Sequence, residues 1–135
     1  MLNSLMMKRM VFFLLILGVS FAFKNYKKLI PNGKSVPNPC KNGTKWLGVG
    51  HSSAVGSGSL NSFGKDFQEE QYKWTDALCK KDSDLDGKSN GVELGDPNCT
   101  WTRKGKIPGK ATGHPGVCEP VDSSLCSLVD PDFSC

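Results

Sequence analysis

Asp82, Asp84, Asp86 and Glu93 stand at the first, third, fifth and last positions of a twelve-residue stretch, Asp82-Ser-Asp84-Leu-Asp86-Gly87-Lys88-Ser-Asn90-Gly-Val-Glu93. That spacing is the donor pattern of a calcium loop. Calcium is a hard cation that takes six to eight oxygens in a flexible shell, so three carboxylates converging from one side of a tight turn suit it. Gly87, at the sixth position, permits the turn because it has no Cβ. The pattern assigns Lys88 a backbone carbonyl as ligand, Asn90 a direct or water-borne contact, and Glu93 the two oxygens that close the site. Asp82, Asp84, Asp86, Lys88, Asn90 and Glu93 are therefore the candidate calcium ligands. Position eight, commonly aliphatic where two such loops pair, is Ser89. Together with a short exit element this argues for a single structural loop, of the kind found in thrombospondin type 3 repeats and dockerin modules, with no calcium-triggered opening. Such extracellular sites bind with Kd of about 10⁻⁴–10⁻³ M.

The remaining chemistry-bearing residues are sparse. His51 and His114 could hold copper or zinc if the fold brought them together, but two ligands make a weak site. Polar loop residues bonded to the backbone are the favoured reading. The serines lie in no strained Gly-x-Ser-x-Gly elbow, and no phosphate-cradling glycine loop or dinucleotide fingerprint is present. The sequence proposes no enzyme.

The elements that must position the loop are few. Pro31, Pro37 and Pro39, then Gly43, Gly48, Gly50, Gly56 and Gly58, favour turns over long elements between 24 and 62. Short strands are expected around Trp46–Val49. Phe63, Phe67, Trp74 and Leu78 fall on one helical face, which predicts a helix between Asn61 and Cys79. Asn61 or Ser62 would cap it, and Gly64 weakens its first turn. A shorter helix starting at Thr75 is the alternative. Trp74 and Leu78 are expected to pack inward. Beyond Glu93, Asp96-Pro97 limits any exit helix to about one turn. The fold class expected is a small disulfide-rich α+β or mostly irregular domain, with one short helix leading into a single EF-hand-like calcium loop.

Lys8 and Arg9 precede an apolar run, Met10 to Val19, that ends in Ser20-Phe21-Ala22. This is the shape of a secretory signal peptide, and it is too short to span a membrane, which takes about 20 apolar residues. Cleavage is expected after Ala22, leaving residues 23–135 as one domain. The formal net charge of +4 falls by two when Lys8 and Arg9 leave. A nearly balanced surface removes support for nucleic-acid binding and for electrostatic attachment to membranes.

Six cysteines, Cys40, Cys79, Cys99, Cys118, Cys126 and Cys135, remain in a short secreted chain and read as a disulfide framework. The sequence alone does not choose among the pairings. Cys126 and Cys135 are near enough to close a small C-terminal loop, which would leave the other four to staple the body. A zinc site is disfavoured, since there is no Cys-x-x-Cys pair. Asn42 and Asn98 head two Asn-x-Thr sequons and are candidate glycosylation sites, the second with a half-cystine in its middle.

Several segments in order resemble the temptin-like domain family. They are Ile30-Pro31-Asn32-Gly33, Gly48-Val49-Gly50-His51, Asn61 to Phe67, Trp74-Thr75, Leu78-Cys79, the acidic loop running on to Pro97, Cys99, Trp101, and His114 to Pro120. The likeness spans nearly the whole mature chain. It implies a secreted, extracellular protein, since the family includes a water-borne pheromone of marine molluscs that acts with other secreted peptides. It implies an EGF-like recognition fold with interlaced bridges, carried over as Cys40–Cys99 and Cys79–Cys118, leaving Cys126–Cys135. Residues 119–135 would then be an extension closed by its own bridge. Leu85 stands where glycine is frequent in the family's loop, at a position that gives no ligand. Trp101 reads equally as a binding aromatic or a core residue.

The leading expectation is a secreted recognition protein that binds other secreted peptides or proteins, with calcium stabilising its fold. A structural calcium-binding protein of mucus, egg mass or mineralised matrix is the alternative; it would prefer many acidic repeats. An accessory domain of a metal-dependent oxidase would rest on His51 and His114 alone.

Overall fold

Dense Gly and Pro leave the chain few places to build regular structure. The computed structural model describes residues 26–135, so the expected signal peptide lies outside the described residues. Among the described residues four short helices appear: α1 (Ser62–Glu69), α2 (Asp76–Lys80), α3 (Asn90–Glu93) and α4 (Ser124–Val129), after a 3₁₀ turn at Tyr26–Lys28. Among the described residues, extended pairing is confined to two isolated antiparallel bridges, Pro37 with Lys45 and His51 with Leu60. The strands expected around Trp46–Val49 do not form. Trp46 and Leu47 each donate one backbone bond, to Val36 and Ala54, and the ladder goes no further. The domain is thus small, disulfide-rich and irregular.

The expected helix from Asn61 to Cys79 is instead two helices. Gln71 and Tyr72 adopt left-handed conformations (φ 54° and 58°), which end α1. Thr75 then caps α2 through its hydroxyl, which accepts from the Leu78 N–H at 3.1 Å. The alternative start at Thr75 is the one the chain uses. Asn61 caps α1, its Oδ1 accepting from the Gly64 N–H at 2.9 Å. Gly64 is required rather than merely tolerated, because a Cβ there would lie 2.0 Å from the Gly50 carbonyl oxygen. The helix packs backbone to backbone against the Gly48–His51 turn.

The core gathers Ile30, Val36, Trp46, Val49, Phe63, Phe67, Leu78, Leu94 and Val117. Phe63 and Phe67 stack at 6.0 Å between ring centres, and Tyr26 and Tyr72 stack at 4.5 Å beside them. Leu78 is fully buried, whereas Trp74 is half-buried and turns its indole N–H to the Asp96 carboxylate at 2.9 Å.

With so little helix and sheet, buried side-chain amides and one carboxylate satisfy the backbone instead. Asn32 donates to the carbonyls of Leu94 and Gly109 (2.8 and 2.9 Å), which ties the N-terminal turn to the chain beyond the acidic loop. Asn61 donates to Val49 and His51 while capping α1. Asp96, fully buried, accepts from Trp74 and from the backbone of Thr100 and Trp101.

All six cysteines are bridged, in pairs that differ from those the resemblance implied. Cys40 joins Cys135, Cys79 joins Cys99, and Cys118 joins Cys126. The bridges are nested: the outer one encloses two small loops, and none interlaces. The geometry gives the reason. The chain after Cys118 turns back through α4 within eight residues, which brings Cys126 to Cys118. Phe133 then lies against Trp46 with ring centres 6.4 Å apart, bringing Cys135 home to Cys40. Residues 119–135 are consequently held to the body at both ends and do not form a separately closed extension.

Candidate metal centre

The acidic stretch runs from the end of α2 to α3, and local rules fix its shape. Gly87 takes φ 94°, a conformation that side chains other than glycine rarely accept. Asp82 Oδ2 accepts from the Gly87 N–H at 2.9 Å, and Asp86 Oδ1 accepts from the Lys88 N–H at 2.9 Å. Ser89, which lacks the pairing aliphatic, does other work: its hydroxyl caps α3. That helix is a single turn, as Asp96-Pro97 foretold. Leu85 is itself left-handed (φ 62°) and exposed, at a cost of about 1–2 kcal/mol relative to an unstrained residue.

Asp82, Asp84 and Asp86 each offer an oxygen, and those oxygens all lie within 4.8 Å of one another. Glu93, in α3, is fully buried. Asp82 Oδ1, Asp84 Oδ2 and both oxygens of Glu93 are buried with no hydrogen-bond partner, although the close group comprises the three aspartates and does not include Glu93. Burial, with Asp86 and Asp82 nearby, pushes the Asp84 carboxyl up to about 7. Burial and the charges of Asp84, Asp86 and Glu119 push Glu93 up to about 9. Unpartnered buried oxygens are costly, and a hard dication is the partner that would satisfy several at once. The donor set therefore suits calcium in number, charge and oxygen chemistry.

Two of the sequence-assigned ligands sit differently. Asn90 is fully buried, and its amide is engaged within the loop: Nδ2 donates to Leu78 and Ser83, and Oδ1 accepts from the Ser83 N–H. In this arrangement it braces the loop. Lys88 contributes a side chain as well as its backbone, with Nζ 3.3 Å from Asp86 Oδ2. Glu119 was not among the expected residues. Its backbone N–H reaches Asp86 Oδ2 at 3.4 Å, a contact made across the fold that loop spacing cannot reveal.

The two histidines have separate roles. His51 Nδ1 meets the Gly58 carbonyl at 3.2 Å, in a loop. His114 is fully buried and packs edge-on against Trp46, with ring centres 4.8 Å apart. Its Nδ1 accepts from the Gly116 N–H, and burial holds its pKa down at about 4. It is a neutral core residue at ordinary pH. Trp101 is half-buried, with its backbone N–H on Asp96 and its indole N–H donating to Gly105 at 3.2 Å. Asn42 and Asn98 are both exposed. Among the described residues, no helix is long and apolar enough to cross a membrane.

The sequence profile of the family described as Temptin C-terminal matches residues 20–117. The chain belongs to the temptin family. Temptin of Aplysia californica is 49% identical over 107 residues, which covers 78% of this chain and 85% of that relative. No solved structure matches. The family match ends at Val117. Two of the three bridges of this temptin-family chain have a partner beyond that point.

Proposed function

We propose that this chain is a secreted signalling protein of the temptin type, a water-borne pheromone component that acts by binding other secreted peptides or proteins. The observation that carries the reading is the 49% identity across 85% of Aplysia temptin. The disulfide-stapled body supports an extracellular life, since such bridges persist in oxidising compartments. Calcium, held by Asp82, Asp84, Asp86 and Glu93, acts as a staple that makes the segment between α2 and α3 rigid. Trp101, half-exposed and anchored on Asp96, is the aromatic offered to a partner. Glycans on the exposed Asn42 and Asn98 fit a secreted chain. The protein has no catalytic role in this reading.

The test is affinity capture from the source animal's secretions on immobilised residues 23–135, with and without a calcium chelator, followed by mass spectrometry. Discrete secreted peptides among the bound species support recognition, and their release on chelation would put the calcium loop in the binding surface. Recovery of mucus or mineral-matrix components alone would overturn the signalling reading in favour of a structural one.

A further inference from the structure

Glu93 is fully buried with both carboxylate oxygens unpartnered, and the segment that covers it comes from outside the loop. Thr112 donates its N–H to the Glu93 carbonyl at 2.7 Å, and a Cβ on Gly113 would fall 2.7 Å from Glu93 Oε1. The next peptide N–H, that of His114, is held at 2.7 Å by Glu119 Oε1. The Glu119 backbone N–H in turn reaches Asp86 Oδ2. Glu119 is therefore bonded on one side to the peptide that roofs Glu93 and on the other to the carboxylate at position five. Its charge adds to the repulsion felt by Glu93. The Lys88 ammonium lies 3.3 Å from Asp86 Oδ2, the same oxygen that the Glu119 N–H reaches.

Resting on the calcium reading above, we propose that Glu119 is a further ligand of that calcium, supplied from beyond the loop in place of the Asn90 side chain. Calcium then ties the segment around Cys118 to the loop, and the ion joins two parts of the chain that are 33 residues apart at Asp86 and Glu119. A fifth carboxylate raises affinity through ligand charge.

The experiment uses the secreted chain with its bridges intact, titrated with calcium, and with europium(III) to count metal-bound waters from luminescence lifetimes in H₂O and D₂O. Glu119→Gln keeps an oxygen to accept from His114 and removes the charge and the second oxygen. It is expected to weaken calcium binding roughly 10-fold and to add about one bound water. In a Lys88→Met background the loss should persist, because the ligand role does not pass through the lysine. Wild-type binding with an unchanged water count in Glu119→Gln overturns the proposal while leaving the loop reading intact. So does a loss of affinity that vanishes in the Lys88→Met background, which would make Glu119 only the lysine's counter-ion. No saturable binding by the wild type overturns the loop reading and the ligand together.

Discussion

Calcium binding by this chain should expel protons, and the amount follows from two carboxyls. Glu93 is pushed up to about 9 and Asp84 to about 7, chiefly by burial and then by neighbouring carboxylates. At pH 7.5 the calcium-free loop therefore holds roughly one proton, nearly all of it on Glu93 and a minor share on Asp84. A dication needs both groups ionised, so binding at that pH should release roughly one proton. Calorimetric titrations in Pipes and in Tris at the same pH read this directly, as a difference in apparent enthalpy. Affinity should rise by up to about tenfold per pH unit from 7 to 9 and flatten above that. Equal enthalpies in the two buffers and a flat affinity would refute the account of buried, mutually repelling carboxylates.

The same groups set the stability of the chelated protein. Their folded pKa values lie above the ordinary carboxylate range, so the folded state binds more protons than the unfolded one. Stability without calcium must then fall as pH rises from about 4 through about 9, the reverse of a salt-bridged carboxylate. Calcium should reverse the loss. With Kd of about 10⁻⁴–10⁻³ M and calcium at ~10 mM, mass action contributes about 1.4–2.7 kcal/mol. In a domain of this size that raises Tm by roughly 5–10 °C. No shift in Tm on adding excess chelator would sink the calcium assignment, and a calcium-free protein more stable at pH 9 than at pH 5 would sink the pKa argument.

Three further outcomes are expected. Gly64→Ala forces a methyl to within 2.0 Å of the Gly50 carbonyl, so it should destabilise by more than about 3 kcal/mol or prevent folding, read by thermal unfolding and secreted yield. Asp96→Ala strands the indole N–H of Trp74 and the backbone N–H groups of Thr100 and Trp101; a loss of about 3 kcal/mol or more is expected in denaturant unfolding, and a change under 1 kcal/mol would contradict the role given to Asp96. Non-reducing peptide mapping should recover Cys40 with Cys135, Cys79 with Cys99 and Cys118 with Cys126, and a Cys126–Cys135 peptide would refute this arrangement.

What the sequence revealed depends on the range over which each feature is determined. The aspartate cluster was legible because its constraints are local: Gly87 for the turn and carboxylates at the alternate positions 82, 84 and 86. The one-turn α3 was legible from Pro97 for the same reason. The helix break was half legible. Phe63, Phe67, Trp74 and Leu78 keep helical spacing through it, but Gln71 and Tyr72 turn left-handed, and neither residue type signals that. Gly64 looked like a weakness because only the tertiary fold shows the Gly50 carbonyl pressed against it. The backbone-satisfying roles of Asn32, Asn61, Asn90 and Asp96 escaped notice because a polar side chain that bonds distant backbone reads, in sequence, like any polar loop residue. Glu119 escaped for a similar reason, since its link to Asp86 spans the fold.

The bridge pattern was the furthest from view, and its topology bears on the acidic loop. In the chain-entropy account, bridges with sequence separations of 95, 20 and 8 contribute about 4.7, 3.3 and 2.5 kcal/mol. Their total rivals the whole stability of a typical domain, about 5–15 kcal/mol, which explains how a body with a small core and almost no sheet can hold one shape. The Cys79–Cys99 bridge encloses the entire Asp82–Glu93 stretch. Buried repelling carboxylates would by themselves push that stretch open, and the bridge opposes the opening by limiting how far its ends can part. The bridge therefore preorganises the oxygens for a cation before any cation arrives. On the proposed calcium reading, ion and disulfide would restrain the same segment, the first reversibly and the second permanently.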